Sequence, residues 1–235
     1  YLPAMLDQIS YDTICHEHLE YYSLHQLKWI TDRADLKIID IEFTAANGGS
    51  ICLTAAKKSS RYDECSARID TTLQSEIDRQ LFTLEPYEDF VREVQRHRNE
   101  LVALVQAIKA SGKTVFGYGA STKGNVILQY CNFTPEDIPC IAEVNEDKFG
   151  AFAPGTWIPI ISEEEARAKK PDYLLVLPWH FRNGIVKREN EFLSRGGALI
   201  FPLPRIEFVS EAGSAFDLVD RQMPLKDAST DGKPT

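Results

Sequence analysis

Thr114-Val115-Phe116-Gly117-Tyr118-Gly119-Ala120-Ser121-Thr122-Lys123-Gly124 decides the fold: an apolar strand runs into a turn of small residues, and a helix begins directly behind it. Strand, tight turn and helix in succession open a βαβ unit. Downstream the same alternation continues, with strands expected over Ile138–Val144, Tyr173–Leu177 and Ala198–Pro202. Helices are expected over Lys123–Tyr130, Ser162–Lys169 and Asn183–Arg195. Ser162-Glu163-Glu164-Glu165 spells a capping box at the start of the second of these. The pattern predicts an α/β fold with a doubly wound parallel sheet over 113–210. From Glu211 the text is small and polar, and a disordered tail is expected over 211–235.

Upstream the rhythm differs. Ser23–Asp35 has apolar residues at Leu24, Leu27, Ile30 and Ala34, the spacing of an amphipathic helix that Ser23 would cap. Leu36–Phe43 and Ser50–Ala56 read as strands joined by the turn signal Asn47-Gly48-Gly49. Tyr62–Ala110 is charged helical text, interrupted near Leu84-Glu85-Pro86, with Phe90, Val94, Leu101, Val105 and Ile108 on one face. The expected divisions are therefore 1–58, a helical bridge 59–112, a sheet domain 113–210 and the tail. Tyr1-Leu2-Pro3-Ala4-Met5 opens on apolar text with neither initiator Met nor cap, which reads as the interior of a longer chain.

The 235 residues carry a net charge of −9, with 43% hydrophobic and 26% charged residues, ordinary for a globular protein. The acidic balance argues against a nucleic-acid partner, since phosphate backbones demand clustered Lys and Arg. A small phosphorylated ligand needs only one positive spot. No apolar run approaches the ~20 residues of a membrane span, and the start lacks signal-peptide character. Five scattered cysteines (Cys15, Cys52, Cys65, Cys131, Cys140) form no CxxC pair, which points to reduced thiols and a cytoplasmic location. The oligomeric state is left open.

Chemistry concentrates in Tyr11-Asp12-Thr13-Ile14-Cys15-His16-Glu17-His18-Leu19-Glu20-Tyr21-Tyr22, where two histidines flank a carboxylate among phenols. Imidazole titrates near neutrality, and a carboxylate beside it can set its tautomer, which suits proton abstraction. A metal pair is the rival reading, since His16 and His18 would share one face of a strand. The flanking text offers no further clustered ligands, so no metal is expected in this chain. In the glycine turn the third glycine, Gly124, follows Gly119 by five residues, which matches neither the dinucleotide fingerprint nor a P-loop. A NAD-dependent dehydrogenase is thereby disfavoured. A phosphate or sugar cradle and a ligand-free turn both stand, with Lys123 as a point charge in the first case and a solvated side chain in the second. Glu143 and Asn145 end the second strand, where Rossmann-type folds receive ribose or another polyol.

Both motif regions, in this order, resemble the nucleotide-sugar C-methyltransferases, S-adenosylmethionine enzymes that methylate C-3 of dTDP-linked keto-deoxysugars. The resemblance rests on 11–18 with Tyr21-Tyr22-Ser23, Asn47-Gly48-Gly49-Ser50, Gly117-Tyr118-Gly119-Ala120 with Lys123-Gly124-Asn125, Pro154-Gly155-Thr156, Leu177-Pro178-Trp179 and Gly196-Gly197. It implies that 1–58 closes a class I methyltransferase sheet and that 113–210 is a Rossmann-like domain holding the sugar nucleotide. The S-adenosylmethionine cradle and a zinc module would lie upstream, leaving this piece inactive alone. His18 is implied as the base that forms an enolate, with Glu17 orienting it. The substrate-binding set is then His16, Tyr11, Tyr22, Asn47, Gly117, Tyr118, Gly119, Ser121, Lys123, Asn145 and Trp179. Cys15 stands where the family carries tyrosine, Asn47 where it carries histidine and His180 where it carries asparagine, which implies another sugar or a divergent branch. A non-catalytic piece that binds sugar nucleotides or a partner is the alternative.

Overall fold

The computed structural model describes residues 1–211, so apart from Glu211 the expected tail lies outside the described residues. Helix α1 (Leu2–Asp7) leads into a 3-10 turn at Tyr11–Thr13, and α2 covers Leu24–Arg33. Ser23 caps α2 in a box with Gln26, whose side-chain oxygen accepts the Ser23 N–H at 2.9 Å. Strands β1 (Leu36–Thr44) and β2 (Ser50–Lys57) pair antiparallel. Their connection needs Asn47, Gly48 and Gly49 all at positive φ, which explains the glycines there. Helix α3 spans Ser66–Asp78 and sends the buried Glu76 carboxylate to the N–H groups of Leu24 (2.6 Å) and His25 (3.0 Å). An anion at the start of α2 meets both its orphan donors and its dipole. Leu24, Ile38, Ile41 and Ile69 form the small core of this part. Of the expected α2 stripe only Leu24 is buried, while Ile30 and Ala34 face outward.

Helix α4 (Glu85–Ala110) is one unbroken rod whose Val94, Leu101, Val105 and Ile108 join the main core. The helical bridge is thus divided by its packing: α3 against the small core, α4 against the large one.

The main sheet contains β3 (Val115–Tyr118), β4 (Ile141–Glu143), β5 (Ile160–Ser162), β6 (Tyr173–Val176), β7 (Ala198–Phe201) and β8 (Glu207–Val209) in the order β5-β4-β3-β6-β7-β8. All neighbours are parallel except β7 and β8, which gives the expected α/β, Rossmann-like sheet. Helices α5 (Thr122–Tyr130), α6 (Glu163–Ala168), α7 (Arg182–Arg188) and α8 (Asn190–Ser194) connect them. Strand β4 is shorter than the Ile138–Val144 expected, and β5 and β8 were not expected at all. The helix expected over Asn183–Arg195 breaks at Glu189, whose carboxylate turns inward to Tyr118 Oη (2.9 Å) and the Arg167 guanidinium (2.8 Å). Among the described residues no helix is long and apolar enough to cross a membrane.

Strand order reverses between β3 and β6, where such sheets open a crevice at their carboxyl ends. Here the chain's own N-terminal segment closes it. Trp179, just beyond β6, donates its indole N–H to Asp12 Oδ2 at 2.7 Å. Tyr11 is buried, with its ring 5.3 Å from that of Tyr130 on α5. Gly119 sits at φ 79°, and a Cβ there would lie 2.8 Å from Pro178, so glycine lets the two strand ends meet.

Candidate functional site

After the plug at Tyr11–Thr13 the chain runs irregularly over the mouth of the crevice. The Thr13 carbonyl receives His18 Nδ1 at 2.7 Å and the Tyr21 hydroxyl at 3.0 Å. A carbonyl only accepts, so in the neutral ring Nδ1 carries the proton and Nε2 the lone pair. The hydrogen bond that holds the ring is thus to a backbone carbonyl and not to Glu17, the carboxylate expected to orient it. Glu17 is exposed, and Cys15, Glu17 and His18 place one donor atom each within 4.8 Å of one another. His16 and His18 line different cavities, because the segment is a turn and not a strand. The His-x-His metal geometry is therefore not formed; Cys15 stands where that reading placed His16.

His18 opens on a cleft of about 390 Å³ shared with Tyr22, Asn47, Gly48, Gly49 and Lys123. Lys123, in the first turn of α5, donates to the Asn47 carbonyl at 2.9 Å and ties the β1–β2 connection to the main sheet. Of the expected substrate residues, Tyr22, Asn47 and Lys123 thus converge with His18. Tyr11 and Trp179 form the buried support behind the segment, and His16 lines a neighbouring apolar groove of about 730 Å³.

The other expected contacts have different work. Gly117 is buried in β3, where a Cβ would lie 2.8 Å from Ile141. Tyr118 turns to Glu189, and burial together with that carboxylate pushes its phenol far above the usual range. Ser121 caps α5 by accepting the Gly124 N–H at 3.0 Å. Asn145 caps the next 3-10 turn through the Asp147 N–H at 3.1 Å.

Glu143 takes up one N–H of the glycine turn. Its carboxylate accepts N–H groups from Ala120 (2.8 Å), Val144 (2.8 Å) and Asn145 (3.0 Å), with Lys148 Nζ at 3.6 Å. Burial alone would raise its pKa, but these donors outweigh burial and hold it below the ordinary 4.5. A depressed carboxylate contributes stability that is present above pH 4.5 and lost as pH falls through the folded value. Glu143→Gln is expected to destabilise by about 1–3 kcal/mol at pH 7. The deficit should shrink in acid, as urea titrations at pH 7 and about pH 3.5 would show. A deficit independent of pH would refute the assignment.

Sequence reasoning missed Thr13 and Asp12, and it named His180 only as a departure from the family pattern. Thr13 acts through its backbone and leaves no side-chain signal. Asp12 is fully buried beneath the cleft, and its Oδ1 has no hydrogen-bond partner among the described residues. Burial pushes its carboxyl above the usual range against the opposing pull of Trp179 and Lys123. The signal was present, since a buried indole N–H requires an acceptor. Burial and Lys123 both lower the His180 imidazole.

Residues 45–204 match the family model of the C-methyltransferase C-terminal domain. The chain is also similar to C-methyltransferase NovU of Streptomyces niveus, 34% identical over 210 residues, covering 89% of this chain and 50% of that relative. It thus spans about half the length of the curated relative it matches.

Proposed function

The chain belongs to the C-methyltransferase family, and from that membership we propose that it supplies the proton-abstracting, sugar-holding part of an S-adenosylmethionine-dependent enzyme acting on a dTDP-linked keto-deoxysugar. The observation that carries the reading is His18, its Nδ1–H fixed on the Thr13 carbonyl and its Nε2 without a hydrogen-bond partner among the described residues, on a cleft shared with Lys123. Nε2 removes the proton from the carbon beside the ketone, and the carbonyl dipole of Thr13 stabilises the imidazolium that results. The enolate carbon so formed is the nucleophile that C-methylation requires. Lys123 hydrogen-bonds a neutral carbonyl, so its charge remains for the diphosphate of the substrate.

The crevice at the strand reversal does not fit S-adenosylmethionine. The crevice at the strand reversal is filled by Asp12 and Trp179, and the Glu143 oxygens are spent on N–H groups of its own turns. These contacts support a methyl-donor site that lies mostly outside this chain.

In D2O the enzyme should wash deuterium into the carbon beside the ketone without any methyl donor, read by mass spectrometry. No exchange would defeat the enolate reading. Lys123→Gln should raise the KM for the sugar nucleotide about tenfold or more with little change in kcat, and Lys123→Arg should recover most of the loss. An unchanged KM in Lys123→Gln would remove the diphosphate contact.

A further inference from the structure

We propose that Cys15, Glu17 and His18 form a binding site for a thiophilic divalent cation of the zinc class, and that a cation held there blocks proton abstraction. The site stands on geometry alone; only the block rests on the role proposed for His18.

The Cys15 carbonyl accepts the His18 N–H at 3.0 Å, so the chain reverses across four residues and sets the first and last side chains together. Glu17 completes the group, with the three donor atoms within 4.8 Å of one another. In a tetrahedral zinc shell, bonds of about 2.0–2.3 Å put neighbouring ligand atoms roughly 3.3–3.7 Å apart. The exposed Glu17 and the half-buried Cys15 close a gap of about 1 Å by small torsional changes while His18 stays on the Thr13 carbonyl. The donor set decides the ion: thiolate, imidazole and carboxylate suit zinc or cobalt(II), whereas magnesium and calcium ask for oxygen alone.

A second feature points the same way. An imidazole that ligates a metal commonly gives its other N–H to a carbonyl or carboxylate, which fixes the ring. His18 already has that partner in Thr13 at 2.7 Å, so Nε2 is the nitrogen that a cation would take. The Tyr21 hydroxyl, bonded to the carbonyls of Thr13 (3.0 Å) and His18 (3.3 Å), braces the turn from outside. Binding releases the thiol proton to solvent, forms the sulfur, nitrogen and oxygen bonds to the metal, and leaves a fourth position for water. The lone pair that would take the substrate proton is then engaged.

The test is a cobalt(II) titration of the full chain, followed in the near ultraviolet for the thiolate-to-cobalt band. One equivalent should bind with such a band and be displaced by zinc. Cys15→Ser should abolish the band and weaken binding about tenfold or more, whereas Cys52→Ser, at an exposed thiol elsewhere, should keep both. A band that survives Cys15→Ser, or no band in the unaltered protein, overturns the site. Zinc should also suppress deuterium wash-in, and Cys15→Ser should need about tenfold more zinc for the same fractional loss from its own metal-free rate. Wash-in that persists under saturating zinc, with the band present, overturns the block. Wash-in absent at every zinc level defeats the base role itself, while the band still decides the site.

Discussion

His18→Asn is expected to lower turnover about 100-fold or more while the affinity for sugar nucleotide changes by no more than about twofold. Asparagine keeps a donor for the Thr13 carbonyl and a similar volume, but it has no lone pair that can take a proton near neutrality. The loss should fall equally on kcat and kcat/KM, the mark of an interaction made only in the transition state. Glu17→Gln should cost much less, because the ring is held by Thr13 at 2.7 Å and not by this exposed carboxylate. Comparable losses in the two variants would restore Glu17 as the orienting group. Turnover of His18→Asn within threefold of the parent would end the base assignment.

Trp179→Ala is expected to cost about 3–5 kcal/mol of stability, the range for truncating a large buried aromatic residue. The indole is 6% exposed, contacts the β1–β2 connection where a Cβ on Gly48 would lie 3.2 Å away, and supplies the N–H that Asp12 Oδ2 accepts. Trp179→Phe separates the terms by keeping most of the ring and removing the donor, for about 1–3 kcal/mol. The pH dependence of that smaller variant has a definite sign. The folded Asp12 carboxyl lies above 3.8 because of burial, opposed by Trp179 and Lys123, and loss of the indole donor moves it further up. A raised carboxyl makes the folded state less stable as pH rises from the unfolded value through the folded one. The Trp179→Phe deficit should therefore widen from pH 3.8 upward in urea unfolding. A cost below about 1 kcal/mol for Trp179→Ala, or a deficit that narrows with pH, would refute this account.

Much of the architecture was legible because each element carried local signals: small residues between β3 and α5, Ser23 ahead of α2, and Asn47-Gly48-Gly49 between two β-rich runs. Three-residue strands such as β5 and β8 leave too few side chains for any period, and Ser162 ends β5 while capping α6. The site was harder. Glycine text reads alike whether a phosphate or the side chain of Ile141 fills the vacated space, as it does at Gly117. The bond between Asp12 and Trp179 joins residues 167 positions apart, beyond the reach of any motif. His18 was singled out by its chemistry, but its partner is a peptide carbonyl that every residue type provides. Cys15 was a departure from a family pattern before its turn made it a neighbour of His18.

The filled crevice divides the molecule into parts that an engineer can and cannot alter. A cofactor grafted at the strand reversal would have to evict Trp179 and strand a buried acid, so that end of the sheet is closed to redesign. The Tyr22 side chain carries no such burden, and libraries aimed at new acceptors begin there, whereas Gly48 and Gly49 are held by their positive φ and close packing.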